Sequence, residues 1–381
     1  MALPPKALVV ANSGGFFSFL LSDIDLLQAH GYEVIAVGNT QNHDWHDTKE
    51  ELDKRSVPVI HIDIDGRNPF AKKNLIALRQ IREILYENRY DVIHCHTPVV
   101  GLLVRIAARR FRKRGTKVLY TTHGFAFTRY STWKQWLPYF AIECIGSSLC
   151  DGMITINRED FSAAKKMLCK QVFYIPGVGV DLKKYHNVDT DSRVYREKLD
   201  IPQEKIMVLS VGEIIERKNH RVIVEAIGKL RDKERYVYVV CGSGQDTLLG
   251  KELLRLADQL GVETRLLGFR RDIPEIMHCS DIGAIPSLRE GLGLAGIQSL
   301  CAEVPIIGSR VQGICDYIKD GENGFLCDPH DVDAFADKIH QLSCRELREK
   351  MKISCYPSAE GFDLSISRKR MEEIYTAIFG W

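Results

Sequence analysis

The sequence predicts an α/β protein built from two doubly wound, parallel-sheet domains. Three observations carry that reading. The 381 residues exceed one ordinary core and suit two domains of roughly 150–200 residues each. Short apolar, β-branched runs alternate with amphipathic stretches along nearly the whole chain, which is the rhythm of βαβ units. The rhythm halts in a polar, charged segment from about His186 to Glu204 and then restarts.

The first set of strands is read at Val9-Val10, Val34-Ile35-Ala36-Val37, Val59-Ile60-His61-Ile62, Val92-Ile93-His94-Cys95, Val118-Leu119-Tyr120, Met153-Ile154-Thr155-Ile156 and Val172-Phe173-Tyr174-Ile175. The second is read at Met207 to Val211, Tyr236 to Val240, Arg265 to Leu267, Ile282 to Ile285 and Pro305 to Ile307. Apolar runs without alternation suit parallel strands covered on both faces. A helix is expected from Leu75 to Tyr86, where Leu75, Leu78, Ile81 and Leu85 recur three and four apart. Another is expected from about Phe16. The linker is placed in the segment from His186 to Glu204. Two Rossmann-like domains facing a cleft follow, with ligands beyond the carboxyl ends of the strands.

Composition narrows the class. With 45% hydrophobic and 27% charged residues, disorder and collagen-like structure are excluded. No run of about 18 apolar residues exists, so no transmembrane helix is expected. The opening Met1 to Lys6 lacks the basic start and cleavage site of a signal peptide. Eleven scattered cysteines, none spaced C-x-x-C, read as reduced thiols in a cytosol.

Three motifs carry chemistry. Asn12-Ser13-Gly14-Gly15 follows the first strand, where glycines let backbone amides approach a phosphate. An ordinary tight turn fits these residues as well. Gly212 to His220 follows the first strand of the second set, and its Lys218 suits a diphosphate leaving group. A solvated helix start is the alternative there. Pro286-Ser287-Leu288-Arg289-Glu290-Gly291-Leu292-Gly293-Leu294-Ala295-Gly296-Ile297-Gln298 is the most specific. Glu290 there can accept from a sugar hydroxyl pair, amides near Leu292 to Leu294 can hold a phosphate, and Gln298 can reach a ribose.

Other candidates are weaker. His94 and His96 sit at a strand end, and no neighbouring carboxylate or cysteine set completes a metal site. They read as structural or acceptor-side groups. Asp63-Ile64-Asp65 offers a divalent-ion pair but fits a solvated strand end better. Between Asp91 and Glu143 lie nine basic residues and no acidic one. Arg105, Arg109, Arg110, Arg112, Lys113 and Arg114, followed by Trp133 and Trp136, suit an anionic membrane surface or a lipid diphosphate. A solvated basic helix end also fits. Nucleic acid is the rival partner, and no nucleic-acid module accompanies the stretch, so none is expected.

The third motif resembles the glutamate-x7-glutamate signature of the family-4 retaining glycosyltransferases, which have the GT-B fold. His94 to Pro98, Thr122 to Phe125, Ile154 to Asn157, Pro176 to Asp181, Gly212 to Lys218, Cys241 to Gly244 and Asp320 to Phe325 occur in the family's order. The chain is most similar to the branch that builds capsular and exopolysaccharide units on a lipid carrier. The resemblance implies an acceptor-binding domain at 1–190 and a nucleotide-sugar-binding domain at 191–361. A helix at 362–381 packs back on the first domain.

It also implies roles. Gly14 and Gly15 face the donor diphosphate, His123 lies near the transferred sugar, and Lys218 with Arg217 meets the diphosphate. Glu290 contacts the donor sugar, Leu292, Gly293 and Leu294 the phosphates, Gln298 the ribose, and Phe269 and Arg270 the base. Catalysis needs no metal. The expected donor is a uridine diphosphate sugar and the acceptor a lipid-diphosphate-linked saccharide. The enzyme then works in the cytoplasm, peripherally on the inner face of the cell membrane.

Two departures stand out. Glu213 replaces the family's diphosphate arginine, and Gln298 replaces the second glutamate. A glutamine still bonds a ribose hydroxyl but without full charge, so weaker or retuned donor binding is expected. Two alternatives are a GT-B-fold epimerase of a UDP-amino sugar and an inactive homologue serving as a scaffold.

Overall fold

The computed structural model describes residues 4–41, 45–66, 68, 69 and 71–381. The chain forms two compact units, one of Met1–Gly179 with Ser365–Trp381 and one of Val180–Leu364.

The first unit holds a 7-stranded parallel sheet of β1 (Lys6–Ser13), β2 (Glu33–Asn39), β3 (Val59–His61), β4 (Val92–His96), β5 (Lys117–Thr122), β6 (Gly152–Thr155) and β7 (Val172–Tyr174). Its order is β3-β2-β1-β4-β5-β6-β7. The second unit holds β8 (Ile206–Val211), β9 (Tyr236–Cys241), β10 (Thr264–Gly268), β11 (Ile282–Ile285), β12 (Ile306–Ser309) and β13 (Gly324–Cys327). Its order is β10-β9-β8-β11-β12-β13, also parallel. Central strands are buried on both faces, as their unbroken apolar runs require: β9, Tyr236 to Cys241, is buried throughout. In each sheet the order reverses once, between β1 and β4 and between β8 and β11. Those reversals position the candidate sites.

Three sequence expectations need correction. β13 was absent from the reading, because Gly324-Phe325-Leu326-Cys327 is short and opens on a glycine. It pairs with β12 in register from Ile306–Gly324 to Ser309–Cys327. The segment His186 to Glu204 is no bare linker, since it belongs to the second unit and carries the helix Ser192–Lys198. Its polarity serves packing. Asp191 caps that helix, and buried Arg196 donates to Asp281 at 2.6 Å and to the Lys205 carbonyl at 2.9 Å. The helix Lys73–Glu87 buries Ala77, Ile81, Ile84 and Leu85, whereas Leu75 is 72% exposed. The apolar stripe is therefore phased on Ile81, and Leu75 lies outside it.

The C-terminal helix Leu364–Phe379 buries Met371, Ile374, Tyr375 and Ile378. From Ser365 onward it belongs to the first unit. Its Tyr375 hydroxyl meets His94 Nδ1 at 2.8 Å, so a strand end and the chain terminus share one polar contact in the core.

Candidate active site

In open parallel sheets, ligands sit beyond the carboxyl ends at the point where strand order reverses. In the second unit that point lies between β8 and β11. The loop after β8 delivers Arg217 and Lys218, and the loop after β11 delivers Glu290. The two loops are laced together: Leu288 N–H donates to the Arg217 carbonyl at 2.8 Å. Asn219, left-handed at φ 53°, donates its amide to the Pro286 and Pro329 carbonyls at 3.1 and 2.9 Å.

On this frame Lys218 Nζ lies 2.5 Å from Glu290 Oε2. Arg217 Nη1 and Ser287 Oγ donate to the same oxygen, each at 3.2 Å. The side chains are largely but not wholly covered, Lys218 18% and Glu290 13% exposed. Burial alone would raise the Glu290 carboxyl; Lys218 and Arg217 outweigh it and hold the group below its ordinary range. The carboxylate therefore stays ionised between two cations.

The helix Leu294–Cys301 opens four residues after Glu290. Its N-cap, Gly293, has φ 79°, and a Cβ there would stand 3.0 Å from Glu290 Cγ and 3.1 Å from the Tyr317 hydroxyl. Conformation and close approach both require glycine. The first amides of such a helix lack intrahelical partners and favour anions. Leu292 is buried, and Leu294 and Gln298 are half-buried. Phe269 and Arg270 leave the end of β10, two strands from β8. Phe269 is 71% exposed. Arg270 is gripped by Asp272 at 2.8 and 2.5 Å. Glu213 is exposed, and its carbonyl meets His220 Nε2 at 3.1 Å.

In the first unit the reversal lies between β1 and β4. Asn12 Oδ1, near the end of β1, accepts the Val100 N–H at 3.2 Å, tying that strand end to the first turn of the helix Pro98–Arg112 that follows β4. Gly14–Phe19 is a 3₁₀ helix, and the α-helix begins only at Leu21. A Cβ on Gly14 would stand 2.4 Å from the Trp45 ring, so packing against Trp45 accounts for this glycine. Gly15 is half-buried, and its carbonyl accepts the Ser18 hydroxyl at 2.8 Å. Phe16 packs edge-on against His123, ring centroids 4.7 Å apart.

His123 belongs to a histidine cluster. His96 Nδ1 and His123 Nε2 lie 3.1 Å apart. His94 meets the Tyr375 hydroxyl through Nδ1 at 2.8 Å and Thr121 Oγ1 through Nε2 at 2.7 Å. Burial drives the His94 and His123 imidazoles down to about 3, and His96 well below its ordinary value. All three are neutral at pH 7. The sequence showed no carboxylate beside His94 and His96, and the fold corrects this. Asp23, on the helix Leu21–Ala29, brings a donor atom within 4.8 Å of theirs. Burial pushes its carboxyl up to about 7. An acidic residue between buried Leu20 and Ile24 was the signal available. Asp63 and Asp65 are instead tied to Gln80, Asn74 and Asn68.

The basic stretch divides in two. Arg109, Arg110, Lys113 and Arg114 are exposed at the end of the helix Pro98–Arg112, where cations also complement the helix dipole. Trp133 is 71% exposed. Arg105 does not belong with them. It is fully buried, donates to Glu143 at 3.0 Å and lies 3.9 Å over the Tyr120 ring. Its position on the inner face of the helix removes it from any surface role. Trp136 is half-buried, stacked on Phe140 at 4.4 Å. Arg112 is paired with Asp151 at 2.9 Å. Among the described residues no helix is long and apolar enough to cross a membrane.

Residues 191–355 match the family model of glycosyl transferases group 1, and residues 18–144 match the glycosyl transferase 4-like domain. EpsD of Bacillus subtilis, named as a glycosyltransferase, is 34% identical over 373 residues, covering 95% of this chain and 93% of that one. The UDP-Gal:alpha-D-GlcNAc-diphosphoundecaprenol alpha-1,3-galactosyltransferase of Escherichia coli is 27% identical, covering 84% of each chain. Among solved structures, Anabaena Alr3699/HepE in complex with UDP and glucose superposes with a TM-score of 0.79 at 18% identity, over 98% of this chain and 100% of that one. WaaG, a glycosyltransferase involved in lipopolysaccharide biosynthesis, gives 0.74 at 16% identity over 98% and 100%. These neighbours share the GT-B fold, and the relatives favour neither the epimerase nor the scaffold alternative.

Proposed function

The chain belongs to the group 1 glycosyltransferases, and we propose that it moves a sugar from a uridine diphosphate donor, with retention of configuration, onto a lipid-diphosphate-linked saccharide in exopolysaccharide or capsule assembly. The observation that carries this reading is the convergence of Lys218 and Arg217 on Glu290 beside a helix N-terminus. Transfer breaks the anomeric C–O bond to the diphosphate and forms a bond from the acceptor oxygen on the same face. The acceptor proton passes to the departing diphosphate. Negative charge grows on that leaving group, and fixed cations and helix amides stabilise it. Lys218 is the catalytic residue in this scheme, and Glu290 holds it in place and meets the sugar. Leu292 to Leu294 and Gln298 line the donor, and exposed Phe269 suits stacking against the base.

Uridine is supported by the Escherichia coli relative, which is named for a UDP-Gal donor, and Alr3699/HepE, which shares the fold, was solved with UDP. The lipid-linked acceptor is supported by the same Escherichia coli name. A lipid acceptor places the reaction at a membrane surface, and the enzyme sits there peripherally, on the cytoplasmic side. Exposed Arg109, Arg110, Lys113 and Arg114 suit anionic headgroups. The helix Trp133–Ser147 exposes Trp133, Leu137, Ile142 and Ile145, an apolar face for the interface. Arg112 joins the two helix ends by donating to the Ser148 carbonyl at 2.9 Å.

The test is a panel of UDP, GDP and ADP sugars incubated with the purified chain, with and without extracted membrane lipid. UDP released only when lipid is present is the expected result. Free sugar released without lipid would point to the epimerase class. No nucleotide release from any donor would overturn the proposal.

A further inference from the structure

We propose that Asp23, His94 and His96 form a binding site for a divalent transition-metal ion of the zinc class. One carboxylate and two imidazoles, their donor atoms all within 4.8 Å of one another, make a nitrogen–oxygen set that suits zinc, cobalt or nickel rather than magnesium or calcium. The set is assembled by the fold. Asp23 comes from the helix Leu21–Ala29 and both histidines from β4.

The surroundings are those of a metal site in three respects. First, Asp23 and His96 line a small cavity of about 10 Å³, the space of one water or one ion. Ser367 and Met371 of the C-terminal helix cover it, and Arg368 is the cationic side chain on its lining. Second, His96 is fully buried, and its Nε2 has no hydrogen-bond partner among the described residues. A buried polar atom left without a partner is unfavourable, and a metal bond supplies the missing partner. Third, both imidazoles already have the outer contacts that orient metal-bound histidines. His96 Nδ1 is held by His123 at 3.1 Å. His94 has a hydroxyl on each nitrogen, Tyr375 and Thr121. One yields to the ion and the other fixes the ring. Three protein ligands leave a coordination position for water. An ion bound there also fixes which nitrogen of His123 carries the proton, because His96 must then donate through Nδ1.

This site stands independently of the transferase reading, since metal binding needs no sugar donor. The experiment uses the full, untagged chain, stripped with a chelator and titrated with Co²⁺ alone. Visible d–d absorption, equilibrium dialysis and melting temperature are followed. One tightly bound Co²⁺ per chain, a visible band and a higher melting temperature are expected. Asp23→Asn and His96→Gln should each weaken binding by roughly 100-fold or more, beyond the loss typical of an outer contact. Absence of bound Co²⁺ in the unaltered chain overturns the proposal, as does binding that survives both substitutions. Should His96→Gln fail to fold, the unaltered chain and Asp23→Asn, at a half-buried position, still decide it.

Discussion

The two units each contain a cation locked to a largely buried carboxylate, and the two pairs serve opposite ends. Arg105 and Glu143 in the first unit are sealed: the arginine has no exposed surface, and Tyr120 both underlies it and donates to Glu143 at 3.1 Å. Lys218 and Glu290 in the second unit keep some surface open at the carboxyl end of the sheet. Sequence patterning grouped Arg105 with a basic surface and Lys218 with a leaving-group site. What separates a structural pair from a chemical one is which elements close over it. Arg105 lies on the inner face of the helix Pro98–Arg112, against β5. Lys218 lies in a short 3₁₀ turn beyond the strand ends, where the loop after β11 meets it through Glu290.

This contrast can be broken most forcefully at Arg105. Arg105→Met leaves Glu143 buried without its cation, and the expected loss is about 3–5 kcal/mol of folding stability, read from urea unfolding. Arg105→Met with Glu143→Leu should recover most of that loss, because the desolvated charge is gone. A single variant as stable as the unaltered chain would mean the pair is not sealed. Lys218→Ala should behave in the opposite way. Turnover is expected to fall roughly 10²–10³-fold, on the scale of one preorganised stabilising group, with a smaller change in unfolding. Arg217 and Ser287 remain on Glu290. Near-normal kcat in Lys218→Ala would remove that residue from the chemistry.

A subtler distinction lies in pH. Glu290 has a folded-state value below its ordinary 4.5. A lowered carboxylate contributes stability that is full above the unfolded value and disappears as pH falls through the folded one. Glu290→Gln should therefore destabilise the chain at neutral pH, and the gap from the unaltered protein should narrow as pH drops below 4.5. A gap that stays constant down to pH 3 would show that shape, not charge, is what Glu290 supplies.

Legibility in the sequence followed locality. Lys218 and Arg217 are adjacent, and Glu290 to Gln298 span one loop and one helix, so a short window exposed the second unit's chemistry. Both sheets were legible because unbroken apolar runs mark parallel strands. β13 was missed because its four residues open on glycine, and Leu75 was misplaced because a one-residue change of phase moves an apolar residue off the buried stripe. The cavity beside His96 draws Asp23, His96, His123, Gly177 and Ser367 from five distant segments. No local pattern could bring Asp23 to His94. Arg105 shows the converse limit: a run of basic residues records charge but not which of them the helix turns inward.

The same helix offers the finest test of that limit. Arg109 is exposed and forms no ion pair among the described residues, whereas Arg112, three positions on, is held by Asp151 and the Ser148 carbonyl. If the exposed end meets an anionic membrane, each unpaired cation contributes about 1 kcal/mol to binding, or about fivefold in affinity. Arg109→Gln should lower partitioning onto phosphatidylserine vesicles by about that factor and leave unfolding unchanged. Arg112→Gln should change vesicle binding less, because Asp151 already neutralises it, and should cost up to about 1 kcal/mol of stability, as a partly exposed pair does. Equal effects of the two on vesicle binding would mean that the membrane reads total charge alone. Loss confined to Arg109→Gln would show that it reads only the cations the fold leaves unpaired.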